Sequence, residues 1–249
     1  MISSINMEFL ISLVKEAGNA IMEIYEKNFQ VEYKDDKSPL TEADIKSNEI
    51  LCNSLNKRYP LIPILSEENK EISFNKRKDW EYFWLLDPID GTKEFIKKNG
   101  EFTINVALVH KNEPVVGVVY IPAKDDIYYA KKNNGAFKNG KQLPFVKSRQ
   151  TFCIVASKSH LSHETKAFIE SIETEKEKEI ISIGSSLKLC LVAEGEADIY
   201  PRLGPTMEWD TAAAHAIVLE SGKHVYNYPS GEKLQYNKES LLNPWFIVK

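Results

Sequence analysis

Residues 84–96 read WLLDPIDGTKEFI. Trp84, Leu85 and Leu86 close an aromatic and aliphatic run that begins at Trp80, so the stretch predicts a buried strand ending at Asp87. Pro88 fixes the backbone between the two aspartates, Gly91 permits a tight bend, and Thr92 stands where a helix can start. Two readings remain open at this point. Asp, Pro and Gly are ordinary turn residues, and a carboxylate can simply cap the next helix; alternatively, Asp87 and Asp90 are the centre of an active site.

The surroundings set the fold. LIPILSEE (61–68) predicts a short strand running into an acidic corner, and WEYFWLLD (80–87) the buried strand. FTINVALVH (102–110) and PVVGVVYIP (114–122) read as a hairpin around Lys111 to Glu113, continued as a meander by DIYYA and the turn-rich KKNNGAFKNGKQL. Met7, Leu10, Ile11, Val14, Ile21 and Ile24 recur at helical spacing and predict a first amphipathic helix in place of a cleaved leader. VEYKDDKSPLTEAD (31–44) is a polar connection. Ile45, Ile50, Leu51 and Leu55 predict a second helix that stops before Tyr59 and Pro60. Residues 1–150 thus form an α+β half with an antiparallel sheet. From Phe152, strands FCIVAS, IISIG and ADIYP alternate with helices near Glu164 to Glu173, in SSLKLCLVAEG and in WDTAAAHAIVLESG, which makes 151–249 an α/β half. The two halves are expected to form one compact unit.

Composition removes several classes of function. No apolar run approaches the roughly 18 residues of a membrane span. A net charge of −4 argues against a nucleic acid polymer as partner, while leaving room for a local basic pocket for one small anion. Cys52, Cys153 and Cys190 are far apart and form no CxxC, so neither a disulfide framework nor a structural zinc site is indicated. The cytoplasm is the expected compartment, with association at the inner membrane face left open. The pattern fixes no oligomeric state. The histidines show no ligand spacing, and His215 reads as a helix-packing residue; the scattered tyrosines and tryptophans read as core.

Two further acidic positions bear on the opening stretch. Glu67 follows a predicted strand and Asp210 starts a predicted helix, where alone it would complement the helix dipole. Gathered with Asp87 and Asp90, they would form a four-charge cluster in which each pair about 4 Å apart repels by about 4 kcal/mol at an effective dielectric of 20. Such a cluster needs cations. Hard oxygen donors without cysteine or clustered histidine favour magnesium or manganese. Two divalent ions roughly 3.5–4 Å apart can hold the attacking and leaving oxygens of a phosphoryl displacement, with the N–H groups of Gly91 and Thr92 offered to the phosphate. The D-x-D-G-T motif of haloacid dehalogenase-type phosphatases does not fit, because the residue two beyond Asp87 is Ile89, which cannot act as a general acid.

DPIDGTKEF, LSEE and EWDTAAAHA, in this order and at these separations, resemble the inositol monophosphatase-like superfamily over nearly the whole chain. The resemblance implies an αβαβα layered sandwich and a magnesium-dependent, lithium-sensitive phosphatase with two or three Mg²⁺ ions. It makes Glu67, Asp87, Asp90, Asp210 and the Ile89 carbonyl metal ligands. It also places Asp44 and Thr92, together with Glu67, in the catalytic set that orients and deprotonates the attacking water. Thr41 and Asp44 are equally a capping-box pair, and both roles can hold at once.

GSSLKLCLVAEGEADIYPRLGPTMEWD (184–210) resembles the branch of the superfamily that hydrolyses adenosine 3',5'-bisphosphate. Where inositol monophosphatases typically present an acid to inositol hydroxyls, this chain has Arg202, a fork suited to phosphate. Lys188 can supply a second cation or be a solvent-facing helical lysine. The resemblance implies a substrate site of Glu67, Ile89, Asp90, Gly91, Thr92, Ser185, Lys188, Arg202 and Asp210, a small nucleotide bisphosphate as substrate, and AMP and phosphate as products. An inositol or sugar monophosphatase and a silent nucleotide- or metal-binding module are the alternatives.

Overall fold

The computed structural model describes residues 2–27, 31–33, 39–69, 72–145, 149–157 and 162–249, with the backbone alone for 31–33, 39 and 40. His160 and residues 34–38 of the polar connection lie outside the described residues.

The chain opens with helix α1 (Met7–Tyr25), whose start is capped by the Asn6 side chain accepting from the Phe9 N–H at 2.9 Å. Strands β1 (Val31–Tyr33) and β2 (Pro39–Thr41) form an antiparallel pair, and α2 (Glu42–Arg58) follows. A seven-stranded sheet comes next. Its strands are β3 (Ile64–Ser66), β4 (Tyr82–Asp90), β5 (Thr103–His110), β6 (Glu113–Ile121), β7 (Asp126–Lys131), β8 (Ala136–Lys138) and β9 (Lys141–Gln142), in that spatial order. Two short helices, α3 (Phe74–Arg77) and α4 (Thr92–Ile96), flank β4. The later elements are β10 (Phe152–Ser157), α5 (His163–Ser171), β11 (Lys178–Ile183), α6 (Leu187–Glu194), β12 (Tyr200–Arg202), α7 (Glu208–Glu220), β13 (Val225–Asn227) and β14 (Phe246–Val248).

Strand alternation divides the core. Trp84, Leu86, Ile104, Val106, Leu108, Val116 and Val118 point to one face of the large sheet and pack with Leu10, Val14, Ile21, Leu51 and Leu55 of α1 and α2. Phe83, Leu85, Ala107, Val109, Val119 and Ile121 point to the other face, against α6 and α7. Beyond those helices lie β10 with its parallel neighbour β11, and the antiparallel trio β12-β14-β13; a parallel bridge from Ile154 to Ile199 links the two groups. Ile154, Ala156 and Ile199 then pack outward on Ile169 of α5. The αβαβα sandwich is therefore present, and α7 from the second half of the chain covers the sheet of the first.

Three details depart from the sequence expectations. The sheet is not wholly antiparallel, because β3 pairs parallel to β4. The hairpin turn is tighter than Lys111 to Glu113: Glu113 already pairs with His110, leaving Lys111 and Asn112, both at positive φ (47° and 67°), as a two-residue loop. Strand β4 does not end at Asp87. It resumes pairing at Asp90 opposite Thr103 after a register shift, a bulge that absorbs Pro88, which has no N–H to give to the ladder.

Candidate active site

The bulge in β4 turns its end toward a cleft of about 390 Å³ at the junction of β4, α4, α6, β12 and α7. Glu67, Asp87, Ile89, Asp90, Gly91, Thr92, Ser185, Lys188, Arg202 and Asp210 all line it. Gly91 makes the turn into α4 with φ 93°, and a Cβ there would also meet the Glu101 carbonyl at 3.2 Å. Asp44 lies behind this wall. Its Oδ2 accepts from Thr41 N (2.8 Å) and Thr41 Oγ1 (2.6 Å), and its Oδ1 is 3.3 Å from Thr92 Oγ1. The capping box at the start of α2 thus holds the carboxyl that faces Thr92. The same threonine hydroxyl is 3.3 Å from the Ile89 carbonyl, and Ser47 pins the neighbouring Pro88 carbonyl at 2.9 Å.

The acids press on one another. Burial first, then Glu67, Asp90, Asp210 and Asp44, hold Asp87 well above the ordinary carboxylate range. Asp210 is raised chiefly by burial and then by Asp90, against the Met207 N–H that its Oδ2 accepts at 2.8 Å. Asp90 is pushed up to about 6 by burial, opposed by Lys188 and the Ser186 backbone N–H. Asp44 also reaches about 6, burial outweighing its two bonds from Thr41. The donors are carboxylate oxygens and one carbonyl, a hard set suited to Mg²⁺ or Mn²⁺, and only added positive charge would relieve their mutual repulsion. Among the described residues no three His, Cys, Asp or Glu side chains meet closely enough to hold a metal ion by themselves, yet Glu67, Asp87, Asp90 and Asp210 line one cleft, where Glu67 and Asp90 raise the carboxyls of Asp87 and Asp210.

Two cations stand across the same cleft. Lys188 is 8% exposed, contrary to the solvent-facing alternative; its Nζ donates to the Ser185 carbonyl and lies 5.8 Å from the centre of the Tyr200 ring. Burial pulls its ammonium down to about 8 despite the pull of Asp90. Arg202 is as buried, and its guanidinium spends one bond on the Pro205 carbonyl at 2.7 Å. Among the described residues the fork has no second hydrogen bond, and its buried Nε lacks a partner, which suits it to an anion.

Sequence reasoning missed the groups that tie the two sides together. Asn105 on β5 is the register partner of Asp87; it donates to Asp90 Oδ2 at 3.5 Å and accepts from Ser186 Oγ at 2.9 Å. Thr103 Oγ1 is 2.9 Å from the same serine. Their signal was available, since Thr103 and Asn105 are polar positions inside the otherwise apolar run FTINVALVH. Glu94, 7% exposed, also lines the cleft. Tyr200, Trp209 and Phe246 form part of its wall while being at most 4% exposed, in keeping with their reading as core.

This constellation can be compared with known proteins. A model of the inositol monophosphatase family matches residues 6–245. The chain belongs to the inositol monophosphatase family. The chain is similar to the 3'(2'),5'-bisphosphate nucleotidase CysQ of Salmonella typhimurium, at 44% identity over 97% of this chain and 98% of that protein. Its fold is similar to the crystal structure of CysQ from Bacteroides thetaiotaomicron, a bacterial member of the inositol monophosphatase family. That match has a TM-score of 0.89 at 44% identity and covers 97% of this chain and 96% of that one. It is also similar to the extragenic suppressor protein suhB from Bartonella henselae, with a TM-score of 0.80 at 27% identity over 97% and 92% of the two chains. Inositol monophosphatase family members are metal-dependent phosphatases, generally using Mg²⁺. No helix among the described residues is long and apolar enough to cross a membrane.

Proposed function

We propose that the protein hydrolyses the 3'-phosphate of adenosine 3',5'-bisphosphate to give AMP and phosphate. The observation that carries this reading is the pair of buried cations, Lys188 and Arg202, facing the acid set across one cleft. An inositol ring offers hydroxyl donors, which carboxylates receive; a second phosphate calls for a fixed arginine fork. The names of the CysQ relatives agree with this choice.

Glu67, Asp87, Asp90, Asp210 and the Ile89 carbonyl would hold two or three Mg²⁺ ions. When bound, the ions supply charge neutralisation of the phosphoryl group and acidify the attacking water. The protein's own groups do the rest. Thr92 Oγ1, 3.3 Å from Asp44 Oδ1, receives the proton of the attacking water as its own proton moves to Asp44. Asp44, pushed up to about 6, is basic enough to draw that proton at neutral pH. The N–H groups of Gly91 and Thr92 orient the phosphoryl oxygens. Lys188 and Arg202 grip the 5'-phosphate, so that binding energy remote from the reaction places the 3'-phosphate. The free thiols of Cys52, Cys153 and Cys190 suit a reducing cytoplasm.

Kinetics of Arg202→Glu test the assignment. The variant should raise KM for adenosine 3',5'-bisphosphate by about 100-fold or more, the scale of a lost charge-assisted pair, with little change toward inositol 1-phosphate. Equal losses on both substrates would refute the role given to Arg202.

A further inference from the structure

A second cavity, of about 220 Å³, opens further along α7, where His215 and Leu219 meet Pro114, Val115, Lys233 and Leu234. It is smaller than the catalytic cleft and separate from its lining. His215 is 3% exposed, and its only hydrogen bond among the described residues joins Nδ1 to the Tyr236 hydroxyl at 2.9 Å.

Counting protons fixes the tautomer. Thr211 Oγ1 donates to the Glu208 carbonyl at 3.2 Å, and so accepts from Tyr236, whose hydroxyl is 3.2 Å away. The single Tyr236 proton is thereby used, and His215 Nδ1 must be the donor to Tyr236. Burial pushes the His215 imidazole down to about 3, so the ring is neutral and Nε2 is a bare acceptor. Nε2 has no hydrogen-bond partner among the described residues, and this ring forms part of the cavity wall.

The remaining charges shape what could enter. Lys132 is paired with Glu113 at 3.2 Å, and Glu220 accepts from the Gly135 N–H at 3.0 Å. Lys233, exposed at the rim, has no salt bridge among the described residues; His224 lines the same cavity. Pro114, Val115, Leu219 and Leu234 give the cavity an apolar wall suited to the body of an organic ligand.

We propose that this cavity is a second ligand site, for a small organic monoanion that also carries a hydroxyl or amine hydrogen. The hydrogen is donated to His215 Nε2, the anion lies beside Lys233, and the body packs on Pro114, Val115, Leu219 and Leu234. The proposal is independent of the catalytic reading.

The test is nuclear magnetic resonance of the full chain with ¹⁵N-labelled histidine, titrated with 4-hydroxybenzoate. Benzoate, which lacks the donor, and 4-hydroxybenzyl alcohol, which lacks the anion, serve as comparisons. In the free protein His215 should show the Nδ1-protonated tautomer. Its Nε2 resonance should move on addition of 4-hydroxybenzoate, with each comparison compound binding at least about tenfold more weakly. Leu219→Trp, which fills the cavity, should abolish the response. Lys233→Gln, at an exposed position that leaves the fold intact, should weaken it by about tenfold. An Nε2-protonated ring, an unmoved resonance, equal responses to all three compounds, or an unchanged response in Lys233→Gln would overturn the proposal.

Discussion

Thr92 Oγ1 lies 3.3 Å from Asp44 Oδ1, joining the first turn of α4 to the first turn of α2 across 48 positions of sequence. If this contact carries the proton of the reaction, Thr92→Ala and Asp44→Asn should each lower kcat by about 10²- to 10⁴-fold, with KM little changed. The double variant should be little worse than either single one, since both remove one relay. Steady-state kinetics check this, and additive losses would break the link between the two residues.

Asn105 bonds both Asp90 and Ser186, so it positions a carboxylate that the proposed function gives to the metal, and it does not itself line the cleft. Asn105→Ala should raise the magnesium concentration for half-activation by about 10- to 100-fold, the usual range for residues behind metal ligands. It should leave kcat at saturating magnesium within a few fold. Magnesium titration of turnover separates this from a general loss of folded protein, which would lower kcat at every magnesium concentration.

Gly117 on β6 lies against α7 so closely that an added Cβ would sit 2.0 Å from the Ala213 carbonyl oxygen and 2.9 Å from Ala216 Cβ. Both obstacles belong to the helix that carries Asp210, and one is backbone. Gly117→Ala should therefore cost about 1–3 kcal/mol or more of stability and displace α7. Urea unfolding measures the first effect and residual activity the second; an unchanged midpoint would contradict the packing described.

His215 is neutral in the folded state, held down to about 3 by burial, whereas in the unfolded chain it takes a proton near 6.5. Its contribution to stability is therefore whole above 6.5 and lost as pH falls from there toward 3, at about 1.4 kcal/mol per pH unit. Between pH 7.5 and 5.5 the protein should lose roughly that amount from this group alone. Urea unfolding at the two pH values, repeated on His215→Gln, should show a shallower pH dependence in the variant. Equal slopes would mean that the buried imidazole is not the source.

The sequence was informative where chemistry is local. The DPIDGT stretch, LSEE and the WD before α7 named the acids that line the cleft, because strand ends and helix starts are marked by their own residues. Long-range pairing was not visible. That β4 resumes after Pro88 depends on Thr103 standing opposite Asp90, and that β3 runs parallel to β4 depends on the path of the chain around the sheet. Lys188 could not be placed from helical position alone. Its burial comes from Tyr200 and the neighbouring helix α7, elements that reach it only in the folded chain.

The central claim is tested most directly by phosphate release from the purified protein with magnesium, comparing adenosine 3',5'-bisphosphate with inositol 1-phosphate. A cleft with Lys188 and Arg202 opposite its acids predicts a kcat/KM at least about 100-fold higher for the bisphosphate. Equal rates, or faster release from inositol 1-phosphate, would contradict it.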